Sequence, residues 1–124
     1  MKIGAPKEIA RGEARVALTP ESAKQLQKLG HECLIETGAG LAAGFNDDTY
    51  RDAGVTVAES ADALWRDAEV VIKVREPSDE EAERLREGQT LIAFFWPAQN
   101  EALLEKCKAQ GATVIAMDMV PRIS

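Results

Sequence analysis

The stretch KIGAPKEIARGEARVALTP, residues 2–20, sets the pattern on which the whole chain is built. It reads as a short apolar strand, a charged loop and the start of a helix. Thr19 can cap that helix through its hydroxyl oxygen, and Pro20 suits the first helical position, where the missing N–H needs no partner. A strand that leads through a charged loop into a helix is typical of the ligand-binding edge of an α/β protein.

The same alternation of short apolar runs and amphipathic segments continues along the chain. The apolar runs predict strands at 2–5, 32–36, 55–58, 69–74, 90–95 and 113–118. The amphipathic segments predict helices at 20–29, 47–53, 60–66, 78–86 and 99–109. Runs such as VVIKV and TLIAFF are nearly all apolar, as in parallel strands covered on both faces. We therefore predict a single α/β domain over residues 1–124, with a doubly wound, mostly parallel sheet and helices on both faces.

Capping residues mark the predicted helix ends. Four glycines follow helical patterns and are predicted left-handed C-terminal caps: Gly30, Gly54, Gly88 and Gly111. Three polar residues precede helical patterns and are predicted N-caps: Asp47, Ser60 and Ser78. Glu81 completes a capping box with Ser78.

Composition narrows the possible functions. The chain has 124 residues and a net charge of −6, so it lacks the basic stripe that nucleic acid or an anionic membrane surface requires. No signal peptide or bilayer-spanning run is visible, and we expect this polypeptide to be soluble. Cys33 and Cys107 are interpreted as free thiols in a reducing compartment.

Two motifs resemble ligand sites but favour structural roles. GAGLAAG at 38–44 is spaced like a dinucleotide-binding loop, yet a helix does not follow directly, so we interpret it as a structural turn. His31 has no second histidine or cysteine at ligand spacing, which favours a surface or capping role, and we predict no metal site.

Four side chains follow predicted strands and are expected to meet at one edge of the sheet: Arg15, Lys73, Trp96 and Arg122. An unpaired buried charge is costly, so Lys73 either contacts a ligand there, extends its ammonium group to the sheet edge, or pairs with Glu76. Arg15 can bind a carboxylate of a substrate, or that of Glu8 or Glu13. Trp96 either packs beneath the next helix or forms a flat surface at an interface.

Four motifs, spread over the whole chain, carry a family resemblance: IGAPKE…E-x-RVALTP at 3–20, ETGAG at 36–40, VVIKVREP at 70–77 and AMDMVPRIS at 116–124. With them the sequence resembles the N-terminal domain shared by alanine dehydrogenase and the alpha subunit of proton-translocating NAD(P) transhydrogenase. The resemblance implies a Rossmann/flavodoxin-like half of a two-domain subunit. The NAD-binding Rossmann half and the membrane segments would then lie outside this chain.

The resemblance separates the two branches at Trp96. Alanine dehydrogenases have a catalytic histidine there, whereas FWPAQN and VPRIS are typical of the transhydrogenase branch. The implied reaction is hydride transfer from NADH to NADP⁺, coupled to proton translocation across the membrane. NAD(H) would bind the alpha subunit and NADP(H) the partner beta subunit. The matching loop implies that Arg122, Ile123 and Ser124 contact NAD(H). No residue of this chain is a predicted acid–base catalyst.

Arg15 and Lys73 match residues that hold the carboxylate of pyruvate in alanine dehydrogenase. Without an amino-acid substrate, we predict that they are inherited and pair with local carboxylates. The resemblance also implies partners: the rest of the alpha subunit, a second alpha subunit and the beta subunit. The complex would lie on the cytoplasmic side of the inner (plasma) membrane, and the 124 residues would be inactive alone. Two alternatives are an alanine dehydrogenase-like domain and a non-catalytic α/β scaffold.

Overall fold

A computed structural model describes residues 1–9, 12–94 and 100–117. Across these residues strands alternate with helices from one end to the other. The strands are β1 (Lys2–Ala5), β2 (Glu32–Glu36), β3 (Thr56–Ala58), β4 (Val70–Lys73), β5 (Thr90–Phe94) and β6 (Thr113–Met117). The α-helices are α1 (Pro20–Lys28), α2 (Asp47–Asp52), α3 (Ala61–Asp67), α4 (Asp79–Arg84) and α5 (Glu101–Ala109), and a 3₁₀ helix covers Leu41–Ala43.

The six strands form one parallel sheet in the order β3-β2-β1-β4-β5-β6. The chain builds outward from β1 on one side and then crosses back to β4 on the other. The strand order therefore reverses between β1 and β4, and this reversal is the point at which doubly wound sheets bind ligands. The predicted fold class is confirmed.

Helices pack on both faces of the sheet around two apolar clusters. In β2, Ile35 belongs to the cluster that includes α1 and α2, whereas its neighbour Leu34 belongs to the cluster that includes α3, α4 and α5. Successive residues of a strand point to opposite faces, so β2 is buried on both sides. This burial explains the nearly continuous apolar runs of the sequence.

Most predicted boundaries are confirmed to within one or two residues, and most predicted caps are present. Thr19 and Ser78 both cap through capping boxes, and Ser60 accepts the N–H of Ala63. Gly30, Gly54 and Gly111 have positive φ angles, as left-handed caps require. The predictions for residues 95, 99 and 118 lie outside the described residues.

Two predicted caps are wrong, those at Asp47 and Gly88. The N-cap of α2 is Asn46, whose side chain accepts the N–H of Thr49, and not Asp47. Helix α4 ends at Arg84, two residues short of its predicted end, because Leu85 is extended. Gly88 has a φ of +83°, but it lies in a turn beyond this helix and does not cap it.

Candidate functional site

The candidate site lies at the carboxyl edge of the sheet, where the chain leaves β1 and β4. The β1 exit loop contains Glu8, and Lys73 is the last residue of β4. Segment 74–77 follows Lys73 on the other side of the reversal point. Because the carboxyl ends of adjacent parallel strands meet, these side chains face one another across the crevice.

Lys73 is a buried cation held between two buried carboxylates. Its Nζ lies 3.2 Å from Oε1 of Glu8 and 3.2 Å from a carboxylate oxygen of Glu81, at the start of α4. The Lys73 side chain is only 1% exposed. The predicted pairing with Glu76 is wrong, since Glu76 lies beside Arg75 at 3.7 Å. The alternative of a local carboxylate partner for Lys73 is confirmed, with different residues.

Glu8 also accepts hydrogen bonds from backbone N–H groups at the reversal point. Its Oε2 accepts the N–H of Val74 at 2.8 Å, and its Oε1 accepts the N–H of Arg75 at 3.3 Å. Ligands of doubly wound sheets bind outside the carboxyl ends of the strands, where free backbone N–H groups could bond to an anion. Here a side chain of the protein already occupies that position.

Arg15 lies at the same edge but in solvent. Its guanidinium forms a fork with Glu13, with Nε to Oε2 and Nη2 to Oε1 both at 2.9 Å, and its backbone N–H also bonds Oε2 at 2.9 Å. The Arg15 side chain is 66% exposed, whereas the Glu13 carboxylate is buried. The predicted pairing of Arg15 with Glu13 is confirmed.

Glu13 has a second cationic neighbour. Nη1 of Arg75 lies 3.6 Å from its carboxylate. The hydrogen bonds from Arg15, opposed by burial, lower the pKa of Glu13 from 4.5 to about 2. The carboxylate therefore stays ionised in the folded state under ordinary conditions.

Charges at this edge balance one another. Three cations form ion pairs with three carboxylates. Lys73 pairs with Glu8 and Glu81, and both Arg15 and Arg75 pair with Glu13. A cavity of about 220 Å³ lies beside them, between the β1 exit loop and the glycine-rich turn, and Arg15 and Leu41 are among its lining residues. The charged residues that line the cavity are Lys7, Glu8, Glu13 and Arg15, two cations and two carboxylates, so its lining has no net positive charge to attract an anion.

In the glycine-rich turn after β2, a carboxylate of the protein likewise accepts a backbone N–H. Oδ1 of Asp47 accepts the N–H of Gly38 at 2.9 Å, and its Oδ2 accepts the hydroxyl of Thr37 at 2.6 Å. These bonds hold the pKa of Asp47 below its ordinary value. A Cβ on Gly40 would lie 2.6 Å from the ring of Tyr50, so the turn is packed too tightly for a side chain. A tightly packed turn at GAGLAAG is confirmed, and the absence of a phosphate site there stays a prediction.

Three other candidate residues lie in the core or at the opposite edge of the sheet: Cys33, Cys107 and His31. Cys33 and Cys107 are free and buried, as predicted, and burial raises the pKa of both thiols. His31 is half-buried at the opposite, amino edge of the sheet, where it lines an open hollow. Across residues 1–9, 12–94 and 100–117, no three potential ligands gather around a metal position.

Glu8 and Glu81 are the site residues whose roles sequence reasoning missed. Glu8 appeared there only as an alternative partner of Arg15, and Glu81 only as part of a capping box. Glu81 has both roles: it pairs with Lys73, and its Oε1 accepts the N–H of Ser78 at 2.9 Å in the predicted capping box. The available signal was the buried Lys73, which requires carboxylate partners, but spacing alone does not say which.

The remaining predicted site residues lie outside the described residues: Trp96, Arg122, Ile123 and Ser124. Of the four side chains predicted to meet at one edge, the structure brings Arg15 and Lys73 together around Glu8 and Glu13. The positions of the other two, and the predicted NAD(H) contacts, stay predictions.

The parallel sheet, its strand order and its crevice at the reversal point define a Rossmann-type α/β domain. The model of the family "Alanine dehydrogenase/PNT, N-terminal domain" matches residues 4–124, and the chain belongs to this family.

Among relatives, NAD(P) transhydrogenase subunit alpha of Cereibacter sphaeroides is 70% identical over all 124 residues. The subunit of that name from Haemophilus influenzae is 41% identical over the same length. Alanine dehydrogenase of Bacillus subtilis is 43% identical over 120 residues, which cover 97% of this chain and 32% of that enzyme. The chain spans only 24% of the length of either transhydrogenase subunit.

Solved structures agree with both branches. The crystal structure of transhydrogenase from Sinorhizobium meliloti matches with a TM-score of 0.89 at 36% identity, covering 100% of this chain and 37% of that one. An L-alanine dehydrogenase matches with a TM-score of 0.88 at 41% identity, covering 94% and 32%. The fold alone therefore does not separate the two activities.

Proposed function

We propose that this chain is the N-terminal domain of the alpha subunit of a proton-translocating NAD(P) transhydrogenase. The parent complex would transfer a hydride from NADH to NADP⁺ and couple that transfer to proton movement across a membrane. The observation that carries the proposal is the 70% identity over the whole chain to a transhydrogenase alpha subunit, against 43% for the alanine dehydrogenase of Bacillus subtilis.

The ionic network at the carboxyl edge supports this branch. An amino-acid dehydrogenase needs a cation that can bind the carboxylate of its substrate. Here Lys73 is enclosed by Glu8 and Glu81, and Arg15 is bonded to Glu13. The chain also has Trp96 where the family resemblance implies a catalytic histidine, so the general acid for imine chemistry is missing.

Direct hydride transfer makes different demands on the protein. The nicotinamide carries the hydride, so the site has to hold two rings at reacting distance and exclude water. We assign the contact with the nicotinamide end of NAD(H) to Arg122, Ile123 and Ser124. We assign no phosphate contact to the N–H groups of Gly38, Val74 and Arg75, because they already bond to carboxylates of the protein.

The phosphate and adenine contacts of NAD(H) are therefore assigned to the rest of the alpha subunit, and NADP(H) to the beta subunit. The proposed complex contains a dimer of alpha subunits beside the beta subunit, at the cytoplasmic side of the inner membrane. In the described residues of this chain, no helix has the length and apolar composition needed to cross a bilayer.

An alanine dehydrogenase-like activity is the second candidate. The observation that favours it is the presence of both Arg15 and Lys73, together with the TM-score of 0.88 to an L-alanine dehydrogenase. A non-catalytic scaffold is the third, and no contact in the described residues favours it over the other two.

The test uses the complete product of the parent gene together with its beta subunit. We expect reduction of an NADP⁺ analogue by NADH and no NADH formation from L-alanine. Alanine oxidation without transhydrogenation would overturn the proposal in favour of the dehydrogenase, and neither activity would favour the scaffold. For the 124 residues alone we expect weak or undetectable NADH binding in a calorimetric titration, and micromolar affinity would contradict our assignment of the phosphate contacts.

A second test separates structural from nucleotide-binding roles at the edge. In the complete complex, replacing both Arg15 and Lys73 should lower stability more than it lowers the affinity for NADH. A large, selective loss of NADH affinity in a protein that still folds would show that these cations bind the nucleotide.

A further inference from the structure

The buried carboxylate of Glu13 lies between two arginines that follow different strands, Arg15 in the β1 exit loop and Arg75 after β4. Arg15 donates two hydrogen bonds from its guanidinium, both at 2.9 Å. Nη1 of Arg75 lies 3.6 Å from Oε1 of the same carboxylate, which is longer than a hydrogen bond. Glu13 therefore has one bonded arginine and a second one close by that is not yet bonded.

The Arg75 guanidinium has no close acceptor in the described part of the chain. Its Nε is buried without a hydrogen-bond partner, and Oε2 of Glu76 lies 3.7 Å from that nitrogen. The backbone of Arg75 is fixed, because its N–H bonds to Oε1 of Glu8 at 3.3 Å. A buried donor without an acceptor is costly, so this guanidinium gains stability by moving onto a carboxylate oxygen.

The oxygen of Glu13 that lies near Arg75 is one that the Arg15 side chain can vacate. Oε1 accepts Nη2 of Arg15, and the same Oε1 lies 3.6 Å from Nη1 of Arg75. Oε2 also accepts the backbone N–H of Arg15 at 2.9 Å, and this bond does not depend on the Arg15 side chain. Glu13 therefore stays in place when that side chain leaves, and a small movement of the Arg75 guanidinium replaces the lost bond.

Exposure indicates which arginine can leave at low cost. The Arg15 side chain is 66% exposed, whereas that of Arg75 is 36% exposed. An exposed guanidinium recovers its hydration when it turns into solvent, but a buried carboxylate left without a cation does not. Arg75 removes that penalty. Glu8 does not compete for Arg75's guanidinium, because its oxygens already accept Lys73 and two backbone N–H groups.

We propose that Glu13 exchanges between the two arginines. In the second state Arg75 bonds to Glu13, and the Arg15 side chain extends into solvent. Arg15 and Glu13 both line the cavity of about 220 Å³, so the exchange takes one cation out of the cavity wall while the backbone stays in place. Arg75 is then a positioning residue for this wall. Only contacts at this edge are involved, so the exchange does not depend on the proposed function.

The first test measures how often the Arg15 guanidinium leaves Glu13, from the solvent exchange of its Nε–H followed by NMR. In Arg75→Gln the open state leaves a buried carboxylate without its second arginine, so we expect this exchange to slow by about fivefold or more. Arg51→Gln is the matched control and should leave the rate unchanged, because Arg51 is an exposed arginine paired with Asp48 on α2. An equal or faster rate in Arg75→Gln would overturn the inference.

The second test follows the carboxyl group of Glu13 by NMR titration. In Arg15→Gln we expect its pKa to lie between the present value of about 2 and the ordinary 4.5, because Arg75 now bonds to it. In the double variant Arg15→Gln/Arg75→Gln we expect the pKa to rise further, because burial is then opposed only by the backbone hydrogen bond. The same Glu13 pKa in both variants would mean that Arg75 does not replace Arg15, and the exchange would be rejected.

Discussion

Lys73 and Arg15 lie at the same edge of the sheet and both bond to carboxylates, yet they differ in almost every physical respect. The Lys73 side chain is 1% exposed and lies between two buried carboxylates. The Arg15 side chain is 66% exposed and meets one buried carboxylate from outside. The first arrangement belongs to the core, and the second belongs to the surface.

The difference teaches how one type of interaction can have two energetic roles. A buried charge loses its hydration, so removing its partner is costly. An exposed pair keeps most of its hydration and contributes little. The Lys73 network should therefore contribute strongly to the stability of the crevice, whereas the Arg15–Glu13 pair should contribute little.

Replacement of Lys73 should have the largest effect. Lys73→Met keeps the length of the side chain but leaves Glu8 and Glu81 buried without their shared cation, so we expect a loss of about 3–5 kcal/mol in the free energy of unfolding. Denaturant unfolding of Lys73→Met measures this loss, and Arg15→Met is unfolded under the same conditions for comparison. Equal losses in both variants would erase the distinction between core and surface.

Replacement of Glu8 should have an intermediate effect. Glu8→Gln retains one oxygen acceptor but turns an amide NH₂ toward Lys73 or toward the N–H groups of residues 74 and 75, so we expect a loss of about 2 kcal/mol. The same denaturant titration measures the loss. Glu21→Gln is the exposed control, with a loss of less than about 1 kcal/mol because this carboxylate lies in the first turn of α1. A neutral Glu8→Gln would mean that charge at this position is dispensable.

Replacement of Arg15 should have the smallest effect on the free energy of unfolding. This effect should depend on pH, because it acts through the Glu13 carboxylate. The folded-state pKa of Glu13, about 2, lies below its ordinary 4.5, so the pair stabilises the protein above about pH 4.5 and this contribution is lost as the pH falls toward 2. We expect Arg15→Gln to cost less than about 1 kcal/mol at pH 7.

The measurement is thermal unfolding of the wild type and Arg15→Gln across this range, with an NMR titration of the Glu13 carboxyl group. The difference between the two proteins should shrink as the pH approaches 2, while the carboxyl pKa rises toward 4.5 in the variant. A constant difference would show that Arg15 acts through packing and not through Glu13.

Much of the fold was accessible from the sequence because its signals are local. Apolar runs of strand length, capping residues and glycines after helices placed nearly every element. The errors at Asp47 and Gly88 have one cause: each residue type is common both at a helix end and in a turn. Asp47 resembles an N-cap, but its carboxylate bonds to the glycine-rich turn nine residues earlier, and Asn46 takes the capping role.

The site was less accessible because its partners are distant in sequence. Glu8 and Lys73 are separated by 65 residues, and the bond between them depends on β1 and β4 lying side by side. From the sequence, Lys73 could contact a ligand, reach the sheet edge or pair with Glu76, and Glu76 is the only carboxylate named for it, three residues away along the chain. The strand order that brings Glu8 closer is a property of the assembled sheet, to which local propensity contributes nothing.

The central place of β1 has a consequence for how this molecule is made. Residues 2–5 leave the ribosome before the other strands of the sheet and can pair early with β2, but their second neighbour, β4, begins only at Val70. Until then the middle strand of the future sheet has one bare edge, and Glu8 has no ammonium to bind. The centre of the sheet is therefore complete only after β4 has been synthesised, and a nascent chain stalled before β4 exposes the free edge of β1 to pairing with any nearby strand.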